Sequence, residues 1–171
     1  PSATPATADA ASAPGAPAIA WTTSWSGFRG ARRDGHYNAG PIRTDWKGLQ
    51  PLWTQPVGGG HSSVVAANGR AFTIEQRGAQ EVAVAYDVLT GRELWTNGWN
   101  AVYMPNSGGG PGPRATPAFH DGTLFVLGAT GELRALDASN GNLRWRANIV
   151  DRDPSVGIAA HSMVANPVST E

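Results

Sequence analysis

The chain repeats itself, and that constrains the fold more than any single residue. Ala85-Tyr86-Asp87-Val88-Leu89-Thr90-Gly91-Arg92-Glu93-Leu94-Trp95 is matched by Ala135-Leu136-Asp137-Ala138-Ser139-Asn140-Gly141-Asn142-Leu143-Arg144-Trp145, with Asp, Gly and Trp each recurring 50 residues apart. Upstream, Asn68-Gly69-Arg70-Ala71-Phe72 is matched by Asp121-Gly122-Thr123-Leu124-Phe125 at a spacing of 53. The difference is absorbed around Arg77-Gly78-Ala79-Gln80, which gives the first copy a longer hairpin. Ala165-Asn166-Pro167 echoes Ala115-Thr116-Pro117 and opens a third copy. A period of this length marks an array whose units bury their faces against one another.

Within each copy the pattern is that of short strands. The second copy predicts strands over 116–119, 123–127, 132–137 and 143–146, separated by Asp121-Gly122 and two further turns. Over 132–137, Leu133, Ala135 and Asp137 share one face, with Arg134 and Leu136 on the other. The first copy predicts strands over 62–66, 71–76, 81–87 and 92–96. Four antiparallel strands per repeat is the arithmetic of a β-propeller blade, and no segment sustains a helical period. The expected fold is all-β, with about two full blades of a propeller: one over 62–96, one over 116–146, and the start of a third over 162–171. Closure takes at least four blades, so the expectation is a portion of a larger propeller.

Composition agrees. Of 171 residues, 22 are Gly and 13 Pro, while only 15% are charged, against roughly 25% in an average soluble domain. The 13 basic and 13 acidic residues cancel, which argues against a general nucleic-acid or anionic-membrane binder. Cysteine is absent, so there is no disulfide framework, thiolate metal site or cysteine nucleophile. No apolar run reaches the roughly 20 residues of a membrane span. Residues 1–20 are almost wholly Ala, Pro, Ser, Thr and Gly, a composition that cannot offset its ordering entropy. They are expected to form a disordered tether of the kind that follows a removed signal peptide or an anchor.

The repeated Asp-to-Trp stretch has a structural rationale. Asp87 and Asp137 accept hydrogen bonds from amides of the turns that follow. Gly91 and Gly141 take the left-handed conformation that closes those turns. Trp95 and Trp145 then lie on outermost strands, each placed to cover the seam to a neighbouring blade.

These two Ala-x-Asp-x-x-x-Gly-x-x-x-Trp copies resemble the repeat of pyrroloquinoline-quinone-type (PQQ-like) propellers, a superfamily that holds both quinoprotein dehydrogenases and non-catalytic assembly propellers of the bacterial envelope. Phe28-Arg29-Gly30-Ala31-Arg32-Arg33-Asp34-Gly35 is similar to the leader preceding the blades in an exported bacterial branch, as are Gly112-Pro113-Arg114-Ala115-Thr116-Pro117 and Leu127-Gly128-Ala129-Thr130-Gly131. The resemblance implies a leader over 21–48, followed by the partial propeller over 49–171. Because Leu52-Trp53-Thr54 matches Leu94-Trp95-Thr96, residues 49–57 are read as an orphan outermost strand.

His61, Arg114 and Val164 occupy matching positions just before the innermost strands, which line a propeller's channel. His61, Ser62, Arg114 and Thr116 are accordingly the candidate ligand-binding residues at a channel mouth, with Ser63 beside them, against the simpler reading of loop ends bonded to neighbouring strands. No catalytic residue and no metal ligand is assigned: His36, His120 and His161 have no partner at a metal-like spacing. Gly58-Gly59-Gly60 and Gly108-Gly109-Gly110 carry no nucleotide fingerprint and lead into strands. Trp21, Trp25, Trp46 and Trp99 are read as caps on apolar ends, and Arg29, Arg32, Arg33 and Asp34 as leader anchors, with carboxylate recognition the rival role for the arginines.

Three functions stay open. The leading one is an exported, non-catalytic binding or assembly propeller, periplasmic or extracellular and tethered through its N-terminus, whose partners are proteins or further blades. The second is part of a PQQ-dependent alcohol or sugar dehydrogenase, for which the resemblance implies PQQ with calcium; the missing vicinal cysteine pair of the quinoprotein alcohol dehydrogenases disfavours it. The third is a glycan-associated propeller with Trp-lined sites.

Overall fold

In a computed structural model, residues 24–37, 40–104 and 109–152 are described, with only the backbone for Asp151 and Arg152. The tether over 1–20, Trp21, His161 and the opening of the third copy lie outside the described residues.

Two four-stranded antiparallel meanders carry the fold. Blade 1 runs β1 (Val65–Ala67), β2 (Arg70–Arg77), β3 (Gln80–Asp87) and β4 (Glu93–Asn100); blade 2 runs β5 (Ala118–His120), β6 (Thr123–Leu127), β7 (Glu132–Asp137) and β8 (Leu143–Asn148). A four-residue helical turn, Ile149–Arg152, follows. These are two blades of a β-propeller. The hairpin signals act as read: Asn68 and Gly69 (φ 50° and 73°) and Asp121 and Gly122 (φ 41° and 68°) all take positive φ, as tight two-residue hairpins demand.

Some boundaries differ from expectation. The innermost strands β1 and β5 start later than read, because the preceding residues bond across the blades and not along the ladder. Strand β4 runs past Thr96 to Asn100, paired with β3 as far as Gln80, so Trp99 is inside the sheet and not on an end cap. Residues 49–57 form no strand, since none of the described residues pairs with their backbone along a ladder.

Both repeated turns close as expected. Asp87 Oδ1 accepts from the amides of Leu89 (3.0 Å) and Thr90 (2.8 Å), and Asp137 Oδ1 from the amide of Ser139 (2.9 Å). Each turn is followed by the same register shift, opposite Ala85/Tyr86 and Ala135/Leu136.

The core is the seam between blades. One face of blade 1 contributes Val65, Phe72, Ile74, Ala83, Ala85, Trp95 and Trp99, and blade 2 answers with Leu124, Val126, Leu136 and Ala138. The other face of blade 1 holds Ala71, Val84 and Tyr86. With cover on both sides, six consecutive residues of β2 and six of β3 are buried, so neither strand has a solvent face.

Tryptophans fasten the seams in one repeated way. The Trp95 ring lies against Gly141, where an added Cβ would sit 2.5 Å from the ring, and its Nε1–H donates to Ala138 O (3.1 Å); Asn97, two residues on, donates to Gly141 O (2.9 Å). Trp53 does the same one blade earlier: its ring lies against Gly91, its Nε1–H donates to Val88 O (2.9 Å), and Gln55 donates to Gly91 O (2.8 Å). Residues 49–57 therefore make the seam contacts of an outer strand without being one. Trp145, third in the series, keeps 47% of its surface exposed and touches Phe125 at a centroid distance of 6.1 Å. The expectation that it covers a seam as Trp95 does finds no partner among the described residues.

The leader ties the blades together on their inner side. Trp25 exchanges both backbone bonds with Ala66 of blade 1 (2.8 and 3.0 Å), and Ser26 O accepts from the Phe119 amide of blade 2 (2.7 Å). Its Phe-Arg-Gly turn is knotted locally. Gly35 N–H donates to Arg29 O (2.9 Å), Arg32 pairs with Asp34 (3.3 Å), and Asp34 accepts from the His36 amide (2.9 Å).

The two repeat tryptophans should separate in chemical denaturation. Trp95→Ala empties a buried seam and should cost about 3–5 kcal/mol, whereas Trp145→Ala should cost about 1 kcal/mol. Equal losses would show that Trp145 is buried in solution.

Candidate functional site

The expected site residues lie where the chain enters the two innermost strands, and part of the set is brought together. His61 N–H donates to Pro113 O (2.8 Å), and the Ser63 amide donates to Thr116 Oγ1 (3.2 Å). Thr73 Oγ1 lies 3.4 Å from Ser62 Oγ. These contacts lay the approach to β1 beside the approach to β5. Thr116 is buried and Ser62 half-buried, while the His61 side chain is exposed.

Arg114 points elsewhere. Its guanidinium donates to the carbonyls of Gly112 (2.6 Å) and Gly110 (2.8 Å) and sits over the Tyr103 ring at 5.3 Å. It organises its own loop, and its charge faces backbone carbonyls and an aromatic face.

Gln76 is the hub that sequence reading passed over. Its backbone exchanges bonds with Gly59 (3.1 and 2.7 Å), and its side-chain oxygen accepts from the Tyr103 amide (3.4 Å). Gly59 in turn is pressed against Pro111, with room for no side chain: an added Cβ would stand 2.8 Å from the Pro111 ring. The two glycine-rich loops are thus packed backbone to backbone. The run of glycines was the available signal for that close approach. Around this platform Val57, Val64, Val102 and Met104 are exposed. Beneath it Glu75, itself buried, pairs with Arg77, which also reaches Glu93 (2.8 Å), and accepts from the Gly58 amide.

A second polar feature occupies the outer end of the seam. Glu81 is wholly buried and accepts from the Ala129 amide (2.9 Å) and from Trp99 Nε1–H (3.1 Å). Burial pushes its carboxyl above the ordinary glutamate range, with the two bonds pulling the other way. Arg134 crosses from blade 2 to lie 4.5 Å from the Trp99 ring centroid, donates to Asn97 Oδ1 (2.8 Å), and pairs with Glu132 (3.0 Å). A polar cleft of about 520 Å³ opens beside them, bordered by Gln80, Asn100, Glu132, Arg134 and Arg146. Alternation along β3 and β7 gave no sign that a glutamate and an arginine would be interior.

No group of three or more His, Cys, Asp or Glu side chains converges among the described residues. His36 lies 3.5 Å from Asp34, and His120 is exposed.

Fold and repeat together define the class: a segment of a β-propeller with PQQ-like blades. Residues 78–157 match the family model described as outer membrane protein assembly factor BamB. Comparison with curated proteins finds no match. Among solved structures the chain is similar to BamB from Moraxella catarrhalis, at 21% identity and a TM-score of 0.37 over 50% of this chain and 22% of that one. It is also similar to quinohemoprotein alcohol dehydrogenase from Comamonas testosteroni, at 25% identity and a TM-score of 0.42 over 56% of this chain and 14% of that one. The chain thus spans less than a quarter of either protein.

Glu81 gives the seam a pH dependence of defined sign. Its folded-state pKa is raised, so the native protein holds this proton to higher pH than the unfolded chain. Its contribution to stability is therefore largest below the unfolded value of about 4.3 and falls as pH rises through the folded value. Asp34, Asp87 and Asp137 are all shifted down and act at lower pH. In urea titrations, the stability of wild type relative to Glu81→Gln should fall as pH is raised from about 4.3 toward neutrality. A pH-independent difference would rule out titration of Glu81 in the seam.

Proposed function

We propose that this chain is part of an exported, non-catalytic binding or assembly propeller of the bacterial envelope, which engages protein partners through the loop face around Gln76. The observation that carries this reading is the match of residues 78–157 to a family described by an outer-membrane assembly factor. The character of the face supports it. The loops are fixed by backbone contacts at Gly59 and Gly112, the Arg114 guanidinium is engaged by its own loop, and Val57, Val102 and Met104 project to solvent. A platform of packed loops with an apolar fringe suits protein recognition.

The test uses the protein in its native host. A photo-crosslinking residue at Val102 should trap a discrete protein partner in the envelope fraction, and one at Leu89, exposed at the far end of blade 1, should not. Recovery in the cytosolic fraction, or equal crosslinking from both positions, would overturn the reading. Saturable binding of PQQ in the presence of calcium would favour the dehydrogenase alternative instead.

A further inference from the structure

At the other end of β2 from Gln76, the two blades border an open pocket of about 230 Å³ beside their hairpin turns. Its apolar wall is Phe119 of blade 2, whose ring stacks on the buried Phe72 of blade 1 at 6.2 Å with planes 10° apart. Arg70 and Arg144 border it, with Asp137 and Ser139.

The two arginines are not equivalent. Arg144 is committed: it pairs with Asp137 Oδ2 at 2.9 Å and donates to Thr123 Oγ1 at 2.6 Å. Asp137 is committed as well, since its other oxygen accepts from the amide and hydroxyl of Ser139. Arg70 has no carboxylate partner among the described residues. Its Nη1 makes one long bond to Asn68 O (3.4 Å), and its Nε is enclosed with no hydrogen-bond partner. The enclosed Nε is out of a ligand's reach, so the donors open to an acceptor in the pocket are those of the Nη groups, which have no carboxylate partner among the described residues. With one carboxylate against two guanidinium groups, the pocket carries a net positive charge.

We propose that this pocket binds a small carboxylate carried on a flat apolar body, with Arg70 as the anion-binding residue and the Phe119 ring, backed by the buried Phe72, as the wall against which the body lies. A carboxylate matches the planar guanidinium fork in a way that a neutral amide cannot. The Phe119 ring favours a planar apolar group over a bare inorganic anion. The volume lies below the roughly 300–1,000 Å³ of sites for drug-sized ligands, so the ligand is small. The site is separate from the loop face proposed for protein docking.

Isothermal titration tests this with defined probes. Benzoate should bind saturably at one site per chain. Benzamide, which keeps the ring and lacks the charge, and acetate, which keeps the charge and lacks the ring, should each bind at least about tenfold more weakly. Arg70→Gln should weaken benzoate by about tenfold or more, with Arg70→Lys intermediate. N-acetylphenylalanine separates two sources of the same chemistry: tighter binding than benzoate identifies a chain terminus as the ligand, and weaker binding identifies a free small carboxylate. The proposal is overturned by an absence of saturable benzoate binding, by benzamide binding as well as benzoate, or by an Arg70→Gln protein with unchanged affinity. The contrast between benzoate and benzamide is read on the wild-type protein and does not depend on any variant folding.

Discussion

A tryptophan ring seated on a glycine of the next blade is the contact on which the rest of this structure depends. Gly141 has a φ of 77°, so it both closes the β7–β8 turn and leaves a bare backbone surface for the Trp95 ring. The indole Nε1–H then fixes the ring in register through Ala138 O. A flat apolar contact combined with one directional bond sets both the spacing and the rotation between blades. Everything else at the seam, including the packing of Phe72, Leu124 and Leu136, is arranged around that fixed geometry. Trp53 on Gly91 shows that the device needs no strand, only a ring held at the correct distance.

Beside this apolar fastening lies a polar one of different character. Glu81 and Arg134 are ionisable groups in a seam that shields them from water, and each bonds to the opposite blade. Removing one partner from such a network costs more than the network itself contributes, because the remaining group is left buried and unsatisfied. The indole Nε1–H of Trp99 serves the Glu81 carboxyl while the ring face serves the Arg134 guanidinium, so one aromatic side chain meets both groups. Blade recognition here is therefore specific and not only hydrophobic.

The architecture was largely legible in the sequence. Repetition of Asp, Gly and Trp at a constant spacing located the turns and outer strands of both blades, and Asn68-Gly69 and Asp121-Gly122 located the inner hairpins. Reading by alternation failed where blades cover both faces of a strand: Glu75, Glu81 and Arg134 look like surface residues in any local pattern, yet all three are interior. The segment around Trp53 was assigned to a strand because its sequence matches one, whereas its position comes from side-chain docking. For the candidate site, sequence indicated which loops approach one another but not the roles within them. Arg114 looked ligand-facing and holds its own loop, while Gln76, an unremarked strand residue, joins the two glycine-rich segments.

The strap formed by Trp25 and Ser26 has a consequence for how the chain assembles in time. It pairs with Ala66 of blade 1 and with Phe119 of blade 2, so its second anchor lies about ninety residues further along the chain. Until both blades have formed, one of the earliest described segments stays half-fastened, and it locks only when the second blade is in place. The strap therefore works as a latch on completed assembly. Two blades that come together in the wrong rotation would leave Ser26 O without its amide donor, and a local pairing error would register as a loose N-terminal segment.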